Sequence, residues 1–324
     1  MKKEKIVLWQ EGEYSYPLAF GFVPNLRSYL HEEDESVRPC MLVVPGGGYC
    51  MVSPTEGEII ALKFYEKGYN AFVLTYTTDL PMTEALGMQP LRDLSRAVRV
   101  IRAGADGYRI DPERLAICGF SAGGHLCASL CVHWEDVAEE NEAFAACSNR
   151  PDAAILSYPV ISSGSAAHVD SFKALLGRER VESGQAAEEL EYMSLEKHVG
   201  AGTPPCFLWH TADDEAVPVE NSLLFAEALR KQGIRHALHI FSHGHHGLSL
   251  ADETWANREF GEPYTVEQLM AMIGAVKDGS LVLPKQESEQ ICAFSNMSLG
   301  EKEETNEEVR IWPELAQQWL SRIW

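Results

Sequence analysis

Gly119-Phe120-Ser121-Ala122-Gly123-Gly124-His125 is the stretch on which the reading of this chain turns. It follows the apolar run Arg114-Leu-Ala-Ile-Cys118 and opens a helix-compatible run, Leu126-Cys-Ala-Ser-Leu-Cys-Val132. In that strand–turn–helix setting a G-x-S-x-G sequence forms a nucleophile elbow, with the serine held at a tight, strained turn. Glycines are needed at 119 and 123 because a Cβ at either position would collide with the neighbouring strand or helix. A helix that starts at the serine also puts a backbone N–H and the positive end of its dipole beside the reacting oxygen. The same residues also fit a plain glycine-rich turn with a capping serine. What separates the two readings is whether the serine's partners follow downstream in the required order.

Outward from the elbow, buried strands alternate with helices. Before it, the continuous apolar run at 40–44 meets Pro45-Gly46-Gly47-Gly48-Tyr49. A helix is expected over 55–67, stopped by Gly68, and then a second buried strand over 69–75. Leu91, Leu94, Val98, Ile101 and Ala105 recur at helical spacing, the stripe of a helix that covers a sheet. After the elbow, three more strands are expected over 153–158, 206–210 and 235–241, with a helix over 219–232 between the last two. This alternation predicts an α/β protein with a mostly parallel central sheet flanked by helices, in one domain spanning 1–324. Two stretches interrupt it. Residues 135–202 are acidic and rich in small residues, a candidate cap over the carboxyl edge of the sheet. Residues 251–306, with a helical run at 266–276 and a polar segment at 284–308, are an insertion that fits a lid, an oligomer contact or a disordered arm. Trp312, Leu315, Ala316, Trp319, Leu320 and Ile323 then form the stripe of a last helix that docks on the sheet.

The 324 residues, 45% hydrophobic and 23% charged, match an ordinary globular chain. A formal net charge of −21, from 27 Lys and Arg against 48 Asp and Glu, repels nucleic-acid phosphates and anionic membrane surfaces, so neither is an expected partner. Eight cysteines are scattered without a C-x-x-C pair, several of them in apolar runs where a reduced thiol behaves as a small hydrophobe. The apolar run near the N-terminus, Ile6-Val-Leu-Trp9, is too short for a signal-peptide core, and no run of about 18 apolar residues exists to span a bilayer. The expectation is a reduced, cytoplasmic protein.

Acyl transfer through a serine needs a base to take its proton, an acid to orient that base, and donors for the oxyanion. On this architecture they follow in the order serine, acid, histidine, each on a loop after a successive strand. The loop after the 206–210 strand reads Thr211-Ala-Asp213-Asp214-Glu215-Ala-Val-Pro218, and the loop after 235–241 reads Ser242-His243-Gly244-His245-His246-Gly247. Three adjacent acidic residues and three close histidines leave the choice within each loop open. A metal cluster at the histidines lacks a spaced carboxylate or cysteine partner, so no metal and no cofactor is expected. His125 and His133 read as packing or surface residues, and Asp93 as one half of a helix-surface ion pair. Tyr49 and Tyr158 sit after strands beside the predicted cleft and are candidate pocket-lining residues.

With these motifs in order, the chain resembles the α/β-hydrolase superfamily, on the side of the acetyl esterases, hormone-sensitive-lipase-like esterases and oligosaccharide-deacetylating relatives. Pro45-Gly-Gly-Gly-Tyr49 is similar to the HGGG oxyanion motif, with Pro in place of His. Residues 119–125 resemble the elbow, 210–218 the acid loop, His246-Gly247 the histidine loop, and 309–320 the terminal helix. The resemblance implies Ser121 as nucleophile, Asp213 as acid and His246 as base, with the N–H groups of Gly47, Gly48 and Ala122 as the oxyanion hole. It favours Asp213 over Asp214 because the first acidic residue after Thr-Ala is the one it maps to the acid. The activity it implies is a serine carboxylic ester hydrolase that removes short acyl groups, acetyl first, from small esters such as acetylated sugars or oligosaccharides. An amidase or peptidase of the same fold and a non-catalytic hydrolase-fold binding protein are the alternatives, and a homo-oligomer fits either. The long 251–306 segment departs from the family, whose histidine loop runs more directly to the last helix.

Overall fold

Each continuous apolar run at the centre of the chain forms a strand buried along most of its length, in a computed structural model that describes residues 1–294 and 300–324. The strands are β1 (Lys5–Val7), β2 (Asn25–Tyr29), β3 (Arg38–Val44), β4 (Asn70–Thr75), β5 (Ile110–Phe120), β6 (Ala153–Ser157), β7 (Cys206–Thr211) and β8 (His236–Phe241). They form one sheet in the order β1-β2-β4-β3-β5-β6-β7-β8. β2 runs antiparallel to β1 and to β4, and all later pairings are parallel. A parallel sheet must be covered on both faces, and alternate side chains of each strand feed the two cores. Leu42 and Val44 of β3 enter one core, Met41 and Val43 the other.

The longer helices among the described residues are α1 (Glu58–Glu66), α2 (Gln89–Ala103), α3 (Ser121–His133), α4 (Val169–Leu176), α5 (Glu220–Lys231), α6 (Glu267–Asp278), α7 (Lys285–Ala293) and α8 (Trp312–Leu320), and all but α6 and α7 supply those covers. One core joins Leu94 and Val98 of α2, Leu126 and Leu130 of α3, Phe172 of α4 and Phe225 of α5. The other joins Ile60 and Phe64 of α1 with Trp312, Ala316 and Leu320 of α8. Trp312 stacks on Trp209 of β7 at 5.5 Å between ring centres, so the last helix docks on the sheet as its stripe predicts.

The two interruptions pack on the domain. The candidate cap at 135–202 contains β6, so it is not an excursion from end to end; a one-turn helix, Glu142–Ala145, precedes that strand and the other short α-helices of the stretch follow it. In the insertion, Leu269 and Ile273 of α6 and Ile291 of α7 form a small third core with Met51 and Leu80. Gln268 is buried there, accepting from the Thr78 N–H at 2.8 Å and donating to the Thr78 carbonyl at 2.7 Å. Residues 295–299 of the insertion lie outside the described residues.

The reading of Asp93 as half of a surface ion pair is corrected. Its carboxyl is fully buried, and accepts hydrogen bonds from Trp9 Nε1, Gln89 Nε2 and both the amide and hydroxyl of Thr77. It ties α2 to the chain leaving β4. His125 is buried on α3. The Tyr49 hydroxyl donates to its Nδ1 at 2.8 Å, and its Nε2 donates to the Met193 carbonyl at 3.0 Å. Burial pushes this imidazole down to about 4.

The elbow is built from contacts too close for any side chain. Ser121 has φ +51°, in the left-handed region, where a non-glycine residue is strained. A Cβ on Gly119 would lie 2.3 Å from the Gly123 carbonyl oxygen, and one on Gly123 would lie 2.1 Å from that of Val44. Both obstacles are backbone and cannot swing aside. Gly123→Ala is therefore expected to lower stability by about 3 kcal/mol or more. Gly107→Ala, whose Cβ would meet nothing within 4 Å, serves as the neutral control in the same denaturant titrations. A second expectation concerns acid. The unfolded chain protonates His125 near 6.5 and the folded chain only near 4, so this residue costs the fold stability progressively as pH falls between those values, up to about 3 kcal/mol. The difference in melting temperature between wild type and His125→Gln should shrink or change sign from pH 7 to pH 4.5. A constant difference would contradict it.

Candidate active site

Ser121 stands at the junction of β5 and α3, on the carboxyl edge of the sheet where open α/β folds bind ligands. The loops after β7 and β8 emerge on the same edge and bring the other two groups to it. His246 Nε2 lies 2.8 Å from Ser121 Oγ, and His246 Nδ1 lies 2.7 Å from Asp214 Oδ2. With Nδ1–H donating to the carboxylate, the Nε2 lone pair faces the serine hydroxyl, the tautomer a base requires.

The acid partner of His246 is Asp214, and the expectation of Asp213 is corrected. Asp213 is exposed. Its Oδ1 accepts from the Gly244 N–H at 2.7 Å, and its Oδ2 lies 3.2 Å from His243 Nδ1, so it splices the acid loop to the histidine loop without touching His246. Asp214 instead turns inward, its side chain fully buried. Its Oδ1 accepts from the N–H groups of Ala216 and Val217 at 3.0 and 2.9 Å, and its Oδ2 also lies 3.4 Å from His210 Nε2. Burial alone would raise this carboxyl. The bonds from His210 and His246, the His246 charge and the Val217 N–H together outweigh it, holding Asp214 well below the usual carboxylate range. Asp214 accepts from the N–H groups two and three residues on, an Asx-turn pattern that agrees with its inward orientation but that the adjacent aspartates alone do not single out.

The glycine turn is pressed against the serine. A Cβ on Gly46 would sit 2.9 Å from Ser121 Cβ, and one on Gly47, whose φ is +117°, would sit 2.3 Å from the Met51 carbonyl oxygen. The Gly46 N–H is already taken, donating to Glu56 Oε2 at 2.8 Å. Those of Gly47 and Gly48 donate to no acceptor among the described residues. The Ala122 N–H falls in the first turn of α3, where no intrahelical acceptor exists. These three N–H groups are the ones the sequence singles out for an oxyanion.

Tyr49 and Tyr158 are corrected as pocket residues, since both are sealed inside, 1% and 2% exposed. Tyr49 points under the turn to His125. Tyr158 stands edge-on to the His246 ring, centres 4.9 Å apart, and its hydroxyl donates to Glu56 Oε1 at 2.6 Å. The open depression beside the site, about 510 Å³, is lined by Asp213, Glu215, Ala216, Gly244, His245 and His246. His245 bonds Glu303 Oε2 at 2.7 Å, and the His243 carbonyl accepts from Asn306 Nδ2 at 3.0 Å, so the end of the insertion braces the histidine loop. Sequence reading missed Glu56 and His168. His168 is held by Ser171 Oγ at 2.8 Å, and burial and the His246 charge push its imidazole down. It comes from a stretch without periodicity, where nothing marks one residue over another.

Comparison with known proteins gives this site a family. The BD-FAE family model matches residues 26–229, a span that runs from β2 through the elbow and the acid loop into α5. The chain belongs to the BD-FAE family. Among solved structures, the acetyl ester-xyloside bifunctional hydrolase from Caldicellulosiruptor lactoaceticus superposes with a TM-score of 0.68 at 36% identity, covering 86% of this chain and 97% of that one. Endo-1,4-beta-xylanase B of Butyrivibrio fibrisolvens is 51% identical over 270 residues, 83% of this chain and 42% of that protein. Acetylxylan esterase of Xylanibacter ruminicola is 29% identical over 257 residues, 78% of this chain and 48% of that protein. The chain thus spans about half the length of the curated relatives it matches. The BD-FAE match and these likenesses place it among the α/β-hydrolase esterases, as the resemblance of its motifs implies.

The two acid-loop aspartates separate cleanly by mutation. Asp214→Asn should lower kcat on a p-nitrophenyl ester by about 10³–10⁴-fold, because the wrong His246 tautomer then faces Ser121. Asp213→Asn should stay within about threefold of wild type, having lost only loop contacts. Equal losses in the two variants would contradict the assignment.

Proposed function

We propose that this BD-FAE chain hydrolyses acetyl esters on xylo-oligosaccharides through a Ser121–His246–Asp214 relay. The observation that carries the reading is the unbroken pair of hydrogen bonds, 2.8 and 2.7 Å, from the elbow serine to a buried, ionised carboxylate. The substrate class is supported by the names of the relatives, which join acetyl-ester chemistry to xylan and xylosides.

In this mechanism Ser121 Oγ attacks the ester carbonyl carbon as its proton passes to His246 Nε2. Asp214 keeps the imidazole in place and stabilises the imidazolium that forms. The carbonyl oxygen becomes an oxyanion facing the N–H groups of Gly47, Gly48 and Ala122. Each such donor is worth roughly 10²–10³ in rate. The C–O bond to the sugar then breaks, and the departing alkoxide takes the proton from His246. Water enters, gives a proton to the same nitrogen and attacks the acetyl-enzyme, releasing acetate and restoring Ser121. No metal or cofactor has a part in these steps.

Among the described residues no helix is long and apolar enough to cross a membrane. Cys40, Cys118, Cys127, Cys131 and Cys206 are buried free thiols, which supports a reducing compartment, and the cytoplasm is our reading. Small oligosaccharides suit such a location better than an intact polymer.

The test is direct. The purified chain should label with a fluorophosphonate at Ser121 and release acetate from acetylated xylo-oligosaccharides, with acetyl esters cleaved faster than butyryl and octanoyl ones. Ser121→Ala should abolish both labelling and turnover. Full acetate release by that variant would refute the relay, whereas a preference for octanoyl esters or for acylated peptides would refute the substrate class alone.

A further inference from the structure

Behind the reacting groups lies a buried carboxylate that the mechanism above does not use. Glu56 ends a single 3-10 turn, Pro54–Glu56, between the glycine turn and α1, and is 4% exposed. Its two oxygens serve two different parts of the site. Oε2 accepts from the Gly46 N–H at 2.8 Å, the amide just before the two donors assigned to the oxyanion. Oε1 accepts from the Tyr158 hydroxyl at 2.6 Å, and that hydroxyl accepts in turn from the Ser249 N–H at 3.1 Å, three residues after His246. Ser249 is fastened further, its Oγ donating to the Thr55 carbonyl at 2.8 Å and its carbonyl accepting from Trp312 Nε1 at 2.8 Å. The Tyr158 ring meanwhile rests against His246.

We propose that Glu56 is a positioning residue that sets the separation between the oxyanion turn and the histidine loop. It rests on the relay proposed above. A buried carboxylate is expensive to keep unless its oxygens are satisfied, and here each oxygen is satisfied by a part of the site that must not move. Burial pushes the Glu56 carboxyl up, and the Tyr158 hydroxyl, the Gly46 N–H and the His246 charge pull against that. Both donors call for the ionised form, because a carboxylate accepts at each oxygen and a protonated acid would have to donate at one. The Ser249 N–H already occupies Tyr158 as an acceptor, which leaves the tyrosine proton pointing at Glu56. Misplacement by 1 Å of a group in a near-attack arrangement can cost on the order of 10²-fold in rate, so a clamp shared by the donors and the base affects turnover more than binding.

The test compares Glu56→Gln, Tyr158→Phe and the double variant by steady-state kinetics on p-nitrophenyl acetate, per active site titrated with the fluorophosphonate. The rate of that labelling and the melting temperature are measured alongside. Glu56→Gln keeps the shape and one acceptor but cannot accept on both sides. It should lower kcat by about 10–10²-fold with KM within about threefold, and slow labelling in proportion. Tyr158→Phe cuts only the branch to Ser249 and should lower kcat by about tenfold, and the double variant should lose less than the product of the two. Glu56→Asp, which retains the charge but is shorter, should recover less of kcat than of the melting temperature. The inference is overturned if either single variant, folded by its melting transition, keeps kcat per titrated site within twofold of wild type. It is also overturned if the two losses multiply. If Glu56→Gln does not fold, Tyr158→Phe decides. Wild type that labels at Ser121 while the variants lose nothing sinks Glu56 alone, whereas wild type that neither labels nor turns over any ester sinks the relay and this inference together.

Discussion

The left-handed conformation of Ser121 is the constraint on which the other parts of this structure depend. A serine at φ +51° is strained by roughly 1–3 kcal/mol and persists only where its surroundings leave no alternative. Here the surroundings are backbone: the carbonyls of Val44 and Gly123 and the Cys127 sulfur crowd the places where side chains at 123 and 119 would go. That crowding draws β3, β5 and α3 together at one point. The glycine turn after β3 therefore arrives beside the serine without any side chain to steer it. Ser121 and the N–H groups proposed for the oxyanion share one piece of packing, so their mutual distance is a property of the sheet.

Asp214 and His246 reach that point differently. They ride on loops, and loops are held by polar contacts. Asp214 is surrounded by His210, His246 and two backbone N–H groups, which is why a fully desolvated carboxylate remains ionised there. His246 is held between Asp214 and Tyr158, and its loop is braced by Asn306 and Glu303 from the end of the insertion. The insertion is thus part of the support of the site, although none of its residues touches Ser121 in the contacts described.

Much of this was legible in the sequence, for local reasons. The central strands are short apolar runs bounded by Gly and Pro. The helices show a 3.6-residue stripe, and the elbow needs two glycines at fixed spacing. What was not legible depended on direction or on distance. Asp213 and Asp214 are chemically the same and adjacent, and only the fold of the loop decides that one faces Gly244 and the other His246. Tyr49 follows a strand near the cleft, yet its φ of +61° turns the ring inward to His125. Asp93 lies on a helix with charged neighbours and reads as exposed, until Trp9, far earlier in the chain, donates to it. Glu56 stands in a Ser-Pro-Thr-Glu-Gly-Glu stretch beside Glu58; both glutamates are buried, and nothing local says which one reaches the glycine turn. Its partners, Gly46, Tyr158 and through it Ser249, come from segments up to two hundred residues apart.

The bond from the Trp312 indole to the Ser249 carbonyl has a consequence for how the molecule comes into being. The elbow, the glycine turn and Glu56 precede the His246 loop in the chain and can pack as soon as β3 to β6 have emerged. The loop that bears His246 is made later, and its anchor, Ser249, is fastened by a helix later still. A chain that folds in the order of its synthesis therefore sets Ser121 and the glycine turn before the His246 loop is anchored by α8. A chain broken off before Trp312 would hold Ser121 in place while the His246 loop lacked the bond that anchors Ser249.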